Sequence, residues 1–365
     1  MKFALLSISL ILVLSSQSQI QHTVKLENVQ SISILQQYTF ENATFRDILF
    51  QPNSERIAVV VRQREDVNSL NGQVVFLDIR NFQPLLLANS EIFANTLAFS
   101  PDGTLFAVGS EQGEIRVFSS QTLEMYTTLQ AGIDIVNDLA ISSNNDYLGA
   151  TFAIPTIVHE GDVVFRLFAL SDGQEIVSYS RATDIYGGGV TFDELSETVF
   201  FSTTNVATSN VVVHEWEITT ESEVAIYEGQ GSASHNLLLD PQNKALFYIT
   251  LEGIGMVSLP LNEDSHDSLI GSIQEGESIV TITLHPTEPI LAIGFLKEIP
   301  RPEGGPSTTN AGIIRLYNTQ TSEELITLEV PEGAITNLAF NSEGTLLASG
   351  GMDGTVRLWG VPAGE

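Results

Sequence analysis

One stretch constrains this chain more than any other: residues 334–360, AITNLAFNSEGTLLASGGMDGTVRLWG, of which weaker copies recur along the sequence. Ile335 to Phe340 is an apolar run of strand length, Asn341-Ser342-Glu343-Gly344 is a reversal, and Leu346 to Ser349 is a second apolar run. Asp353-Gly354 follows, a dipeptide that tolerates the positive φ of a tight hairpin, and Thr355 to Trp359 alternates into a third strand. The unit therefore reads as an antiparallel meander of short strands. Its middle run has little polar alternation, which predicts a strand covered on both faces, as when small sheets stack around an axis.

The copies are found by the junction where an apolar run meets a turn. DILFQP (47–52), LAFSP (97–101), LAISS (139–143), VTFDE (190–194), LLLDP (237–241), ITLHP (282–286) and LAFNS (338–342) share it, and they recur at spacings of 49, 42, 51, 47, 45 and 56 residues. Six further segments supply fourth strands, at 84–88, 124–130, 174–180, 223–229, 268–274 and 324–330. The seventh copy has none of its own, whereas an orphan strand-like segment, SISILQQYTF, lies at 31–40 ahead of the first copy. The expectation is an all-β, seven-bladed β-propeller of four-stranded antiparallel blades, the last completed by residues 30–40. It would form a single domain over 19–363, with blades starting near 45, 94, 136, 188, 235, 279 and 335.

LAFNSEGTLLASGGMDGTVRLWG resembles the WD40 repeat almost position for position, and LAFSPDGTLFAVGSEQGEIRVFSS is the next best match. In that family a His before the first strand, a Ser or Thr on the second, an Asp in the following turn and a Trp on the third form a buried hydrogen-bonded set. Ser349, Asp353 and Trp359 match; Pro331 or Glu332 stands near the His position.

The N-terminus reads as an export signal: Met1-Lys2 is positively charged, Phe3 to Leu14 is apolar, and Ser16-Gln17-Ser18 supplies small residues at a cleavage point, placing the signal at 1–18. Twelve apolar residues are too few to span a hydrocarbon core of about 30 Å as a helix. A secreted or periplasmic location is therefore expected. The absence of cysteine is compatible with this in a chain of 43% apolar residues, large enough to hold a core without disulfides. Forty-five acidic residues against 15 basic give a net charge of −30, which repels phosphate backbones and anionic lipid and excludes nucleic acid as an expected partner. The scarcity of lysine is also what adaptation to high salt would produce.

Extra residues fall mostly between second and third strands, at 62–72, 153–161, 203–210 and 296–312. In a propeller these loops emerge on one face and form a candidate recognition surface. Arg62, Arg64, His159, Glu160, His235, Pro300, Arg301 and Pro302 are the candidate partner-binding residues; the prolines of the last loop lower the ordering cost of binding. Chemistry-bearing motifs are sparse. His159-Glu160-Gly161-Asp162 and the run NEDSHDS at 262–268 read as solvated loop groups, not metal ligands, and no nucleophile elbow, dinucleotide fingerprint or EF-hand loop occurs. His235 lacks the second positioned group that acid–base catalysis needs. Asn42-Ala43-Thr44 is a glycosylation sequon that matters only in a eukaryotic secretory pathway. No catalytic residue, metal or cofactor is assigned. The reading is a monomeric, non-enzymatic WD40-type scaffold that binds a protein or peptide; the alternative is a propeller enzyme of lactonase or quinoprotein type with its site at the central channel.

Overall fold

The computed structural model describes residues 23–63, 72–87, 93–132, 134–153, 163–180, 184–205, 207–208, 210–230, 236–250, 252–262, 265, 267–299, 309–330 and 333–362. A short 3-10 turn (Val29–Ser31) precedes β1 (Ser33–Thr39). Meanders follow: β2 (Ala43–Phe50), β3 (Arg56–Gln63), β4 (Gly72–Asp78) and β5 (Pro84–Leu86), then β6 (Ala94–Phe99), β7 (Leu105–Ser110), β8 (Glu114–Ser119) and β9 (Met125–Gln130). Next come β10 (Ile135–Ile141), β11 (Tyr147–Ala153), β12 (Phe165–Ala169) and β13 (Glu175–Tyr179), and β14 (Asp184–Phe192), β15 (Thr198–Asn205), β16 (Val211–Glu217) and β17 (Ser222–Gly229). The chain ends with β18 (Leu237–Asp240), β19 (Ala245–Ile249), β20 (Ile254–Ser258) and β21 (Asp267–Ile270), with β22 (Glu277–Leu284), β23 (Ile290–Ile299), β24 (Thr309–Asn318) and β25 (Glu324–Val330), and with β26 (Ile335–Phe340), β27 (Leu346–Gly351) and β28 (Thr355–Gly360).

Seven separate four-stranded blades are not what forms. The described residues make five four-stranded sheets and one eight-stranded sheet, the latter spanning β10–β17. The fusion has a local cause. Tyr186 on β14 pairs with Ala153 on β11, and the Tyr-Gly-Gly-Gly run lets the two backbones close up. A Cβ on Gly187 would lie 2.4 Å from the Val164 carbonyl oxygen and 2.7 Å from the Phe152 nitrogen. Thr151 Oγ1 and Asn137 Nδ2 then donate to the carbonyls of Gly188 (2.5 Å) and Gly187 (2.7 Å).

Two compact units can be separated. In the first, comprising 1–50, 55–86 and 274–365, three sheets stack: β2–β5, β22–β25, and β1 with β26–β28. β1 runs antiparallel to β28 with Ile34 opposite Trp359. Two cores hold this unit. One gathers Phe45, Ile48, Val59 and Val61 with Tyr38, Ala348 and Leu358; the other sets Ile290, Ile314 and Leu328 against Ile335, Leu347 and Trp359, and is capped by Val24, Val29 and Ile32. The second unit, comprising 51–54 and 87–273, contains β6–β9, the eight-stranded sheet and β18–β21, with cores between successive meanders.

Burial follows position in the meander. The second strands are covered on both faces: β27 is buried along its whole length, and β3 is buried from Ile57 to Val61. Each buried valine or isoleucine there contributes about 1.5–3 kcal/mol, so these runs cannot alternate with polar residues. Four outer strands, β9, β13, β17 and β25, carry a one-residue bulge at matching registers, with Tyr126, Ile176, Val224 and Leu325 as the extra residues, whereas β5 and β21 pair without one. β1 has the same irregularity, at Leu35.

Candidate functional site

In the first unit, the ends of the sheets that carry the second-to-third strand connections are held by backbone against backbone. The Asp353-Gly354 turn joins β27 to β28; Gly354 has φ 76°, and a Cβ there would lie 2.5 Å from the Phe40 carbonyl oxygen. Gly333 abuts the Asp353 nitrogen in the same way, at 2.8 Å, and Gly312 abuts the Gly333 carbonyl oxygen at 2.8 Å. Gly312, Gly333, Asp353-Gly354 and Phe40 thus form one edge across these sheets, with no room for side chains between them.

From this edge one feature stands out. β23 and β24 stay paired beyond Leu296–Gly312, through Lys297–Ala311, Glu298–Asn310 and Ile299–Thr309, and neighbours accompany them most of the way: Lys297 pairs with Glu277 on β22, the Glu298 N–H donates to the Gly276 carbonyl oxygen, and Ala311 bridges Gly333. Only the Ile299–Thr309 pair extends past them, by about 3.4 Å. Ile299 is 43% exposed at its last described pair. The stretch 296–312 expected to be loop is therefore strand at both ends, as is 203–205, because β15 runs on to Asn205. Arg62 lies at the end of β3, half-buried, opposite Thr44 on β2 and Gly72 on β4. Arg64, His159, Glu160, His235, Pro300, Arg301 and Pro302 lie outside the described residues.

The polar residues that the structure brings together lie elsewhere. Arg116, Arg166, His214, Arg315 and Arg357 occupy one register on their third strands, each two residues before an aromatic: Phe118, Phe168, Trp216, Tyr317 and Trp359. Each meets an acid. Glu114 Oε1 lies 2.7 Å from Arg116 Nε, Glu175 pairs with Arg166, Glu223 Oε1 lies 2.6 Å from His214 Nδ1, and Asp353 Oδ2 lies 2.5 Å from Arg357 Nη2. On β20 the position is Gly255, and the Tyr248 ring fills the space; a Cβ there would lie 2.5 Å from its Cζ. The Tyr248 hydroxyl donates to Asp267 Oδ2 at 2.9 Å.

The most deeply held pair is Arg315 with Glu277. Arg315 Nη1 and Nη2 donate to Glu277 Oε2 (2.8 Å) and Oε1 (2.7 Å), and the guanidinium lies 4.5 Å over the Phe295 ring. Burial pushes the Glu277 carboxyl up, but the hydrogen bonds from Arg315 and the Gln274 N–H, with the charges of Arg315 and Lys297, outweigh it and leave the pKa lowered. A buried charge is tolerated only when paired in this way.

Thr203, His214 and Glu223 have the outward form of an acid–base relay, with Thr203 Oγ1 2.9 Å from His214 Nε2. Thr203 and His214 are fully buried, and the imidazole lies between the Phe201 ring, stacked at 4.5 Å, and the Tyr179 ring at 5.0 Å. No substrate reaches that hydroxyl, so the arrangement fixes strands. Trp359 Nε1 donates to Ser349 Oγ at 2.9 Å, whereas Asp353 is held by Arg357 and by the Thr355 N–H. On β15 the residue opposite His214 is Phe201, where β27 places Ser349 opposite Arg357. Trp216 Nε1 is consequently buried without a hydrogen-bond partner. The signal that would have revealed this layer is the pattern of Arg or His followed two residues later by an aromatic: RVF, RLF, HEW, RLY and RLW.

Against known families, the model "WD domain, G-beta repeat" matches residues 322–360 and the model "Anaphase-promoting complex subunit 4 WD40 domain" matches residues 48–144. The chain carries WD40 repeats. It is similar to the Periodic tryptophan protein 2 homolog of Schizosaccharomyces pombe, 48% identical over 48 residues, and to Autophagy-related protein 18 of Eremothecium gossypii, 36% identical over 93 residues. Those stretches cover 13% and 24% of this chain, and only 6% and 17% of the two relatives. Among solved structures, the β-propeller domain of Cps50 (Swd1) from Myceliophteria thermophila superposes with a TM-score of 0.69 at 14% identity, over 90% of this chain and 99% of that one. The fold is that of a β-propeller. No helix of the described residues is long and apolar enough to cross a membrane, and none of their acidic, His or Cys groups clusters in threes suited to a metal.

Proposed function

We propose that the chain is an exported interaction scaffold that binds a protein or peptide partner through the sheet ends carrying the second-to-third strand connections. The observation that carries the reading is the end of the β23–β24 hairpin arms, where the Ile299–Thr309 pair reaches past the closely packed glycine edge and Ile299 is exposed. Rigid scaffolds present binding groups on such projections. The WD40 repeats favour a scaffold over an enzyme, and the one Thr–His–acid arrangement among the described residues has its hydroxyl sealed off. A surface of net charge −30 favours a partner with basic groups and disfavours nucleic acid; the protein acts as a monomer, after removal of residues 1–18.

The test is recovery of a partner on the tagged mature protein from culture supernatant or periplasm, repeated with 297–311 replaced by a two-residue turn. A partner retained by the full ribbon and lost on trimming supports the reading. Stoichiometric metal together with lactone hydrolysis by the purified protein overturns it. N-terminal sequencing of the exported chain checks cleavage after Ser18.

A further inference from the structure

His285 holds together three segments that are far apart in the sequence. It follows β22 and enters the turn toward β23 with its ring buried and edge-on to Phe340 at 5.1 Å. Its Nδ1 accepts the N–H groups of Thr287 (3.2 Å) and Glu288 (2.9 Å), so the proton of the neutral ring is on Nε2, which donates to the Gly344 carbonyl oxygen at 3.0 Å. The same oxygen accepts the Val24 N–H at 2.8 Å. The Nε2–Cε1 edge of the ring abuts the Gly344 turn: a Cβ at that residue, whose φ is 65°, would be 2.3 Å from Nε2.

We propose that His285 is a pH-operated latch on the N-terminal segment, in which proton uptake at Nδ1 frees the Gly344 turn and, with it, Val24. A ring protonated on both nitrogens accepts nothing, so the Thr287 and Glu288 N–H groups would face an added N–H donor. Relief requires the ring to leave its place, and the Gly344 carbonyl then loses one of the two donors that hold it. Val24 begins the cap formed with Val29 and Ile32, and that cap leads directly into β1, whose strand partner is β28. The latch thus sits at the root of the strand that completes the last sheet.

The charged groups around the ring are Glu288 on its own turn, Glu343 on the facing turn and Lys25 beside Val24. Glu343 is engaged by Asn341 Nδ2 and the Ser342 hydroxyl. Burial lowers the His285 pKa below its ordinary 6.5, with the Gly344 carbonyl and Glu288 acting in opposition. The latched state therefore holds fewer protons than the open one. Its hold is complete above pH 6.5 and weakens as pH falls below that value toward the lowered one.

Hydrogen exchange at the Val24 amide, corrected for intrinsic rates, tests this at pH 7.5 and 5.5. A ring that stays neutral when latched and titrates at 6.5 when open gives about tenfold loss of protection across that interval. In His285→Gln, which cannot titrate, the loss disappears; in Glu288→Gln it persists. Equal protection of the wild-type amide at both pH values, or the same loss in His285→Gln, overturns the proposal. A measurement on the unaltered protein is independent of whether a variant folds: NMR titration of the ring should show an Nε2–H tautomer and a midpoint below 6.5, and a midpoint at or above 6.5 refutes the latch.

Discussion

Replacing Arg315 by Met isolates the energetics of the buried third-strand layer. The substitution leaves the Glu277 side chain with no exposed surface and removes its two short hydrogen bonds, so that only the Gln274 N–H and Lys297 Nζ, 3.8 Å away, remain. Breaking a buried pair by removing one member costs about 3–5 kcal/mol, because the survivor is a charge without compensation. Removing both, as Glu277→Leu with Arg315→Met, exchanges the pair for apolar groups and returns stability to within about 1–2 kcal/mol of the parent. The two tryptophans make this measurable by unit: Trp359 lies in the unit that contains Arg315, and Trp216 lies in the other. In a Trp216→Phe background, urea unfolding followed by Trp359 fluorescence reads the local cost. A single-variant loss below about 1 kcal/mol, or a double variant no better than the single, would refute the reasoning. The pH dependence gives a second check. The Glu277 pKa is lowered, so its contribution is present above 4.5 and lost as pH falls through the lowered value; the gap between parent and variant must close in that direction.

Other outcomes follow from the same contacts. Asp102 accepts hydrogen bonds from Ser100, Thr104 and Asn145, which outweigh burial and bring its pKa to about 2; Asp102→Asn should lower the unfolding midpoint most at neutral pH and flatten the acid dependence between pH 3.8 and about 2, so that the two proteins converge as pH falls. Trp359→Phe strands the buried Ser349 hydroxyl and should cost about 1–3 kcal/mol beyond its packing loss, whereas Trp216→Phe removes an N–H that has no partner; equal costs for the two in urea unfolding would contradict this. Deleting residues 1–40 exposes the β28 edge and empties Tyr38 from its core, so the melting temperature should fall and the chain should associate; an unchanged, monomeric product would show that β1 is dispensable.

What could be read in the sequence was whatever repeats with a period. Apolar runs ending in Asn341-Ser342-Glu343-Gly344 or Ser100-Pro101-Asp102-Gly103 mark first strands because turn chemistry and burial act locally, and the second strands show their double coverage in runs such as IAVVV. The eight-stranded sheet was not legible, since it depends on three glycines whose role appears only when the Val164 carbonyl is found against Gly187. The polar layer was half-legible: RVF, RLF, HEW, RLY and RLW are visible, and Glu114 stands two residues before Arg116 on the same strand, but the other acids come from the turn at Asp353, the outer strands at Glu175 and Glu223, or the first strand at Glu277. His235 and His159 stand out in the sequence because they lie between apolar runs, whereas His214 and His285, which have defined partners in the structure, lie in or beside strands whose apolar neighbours conceal them.

β1 belongs to the last sheet by geometry as well as by proximity. In the outer strands β9, β13, β17 and β25 the register slips by one residue at the aromatic of the third strand or next to it: Phe118 with Met125, Phe168 with Glu175, Trp216 with Glu223 and Tyr317 with Glu324. β1 slips at the same place, Trp359 with Ile34, and its extra residue, Leu35, presses on Gly360, where a Cβ would come within 2.8 Å of Leu35 Cδ1. A bulge bends an edge strand and spoils it as a template for further pairing. Two ends of the chain that share this irregularity therefore have their register set by the same steric demand, the large residue before the bend in each third strand. The completed sheet is then specified by Leu35 and Gly360 together, and neither its formation nor its resistance to edge-to-edge association follows from the apolar pattern of residues 31–40 alone.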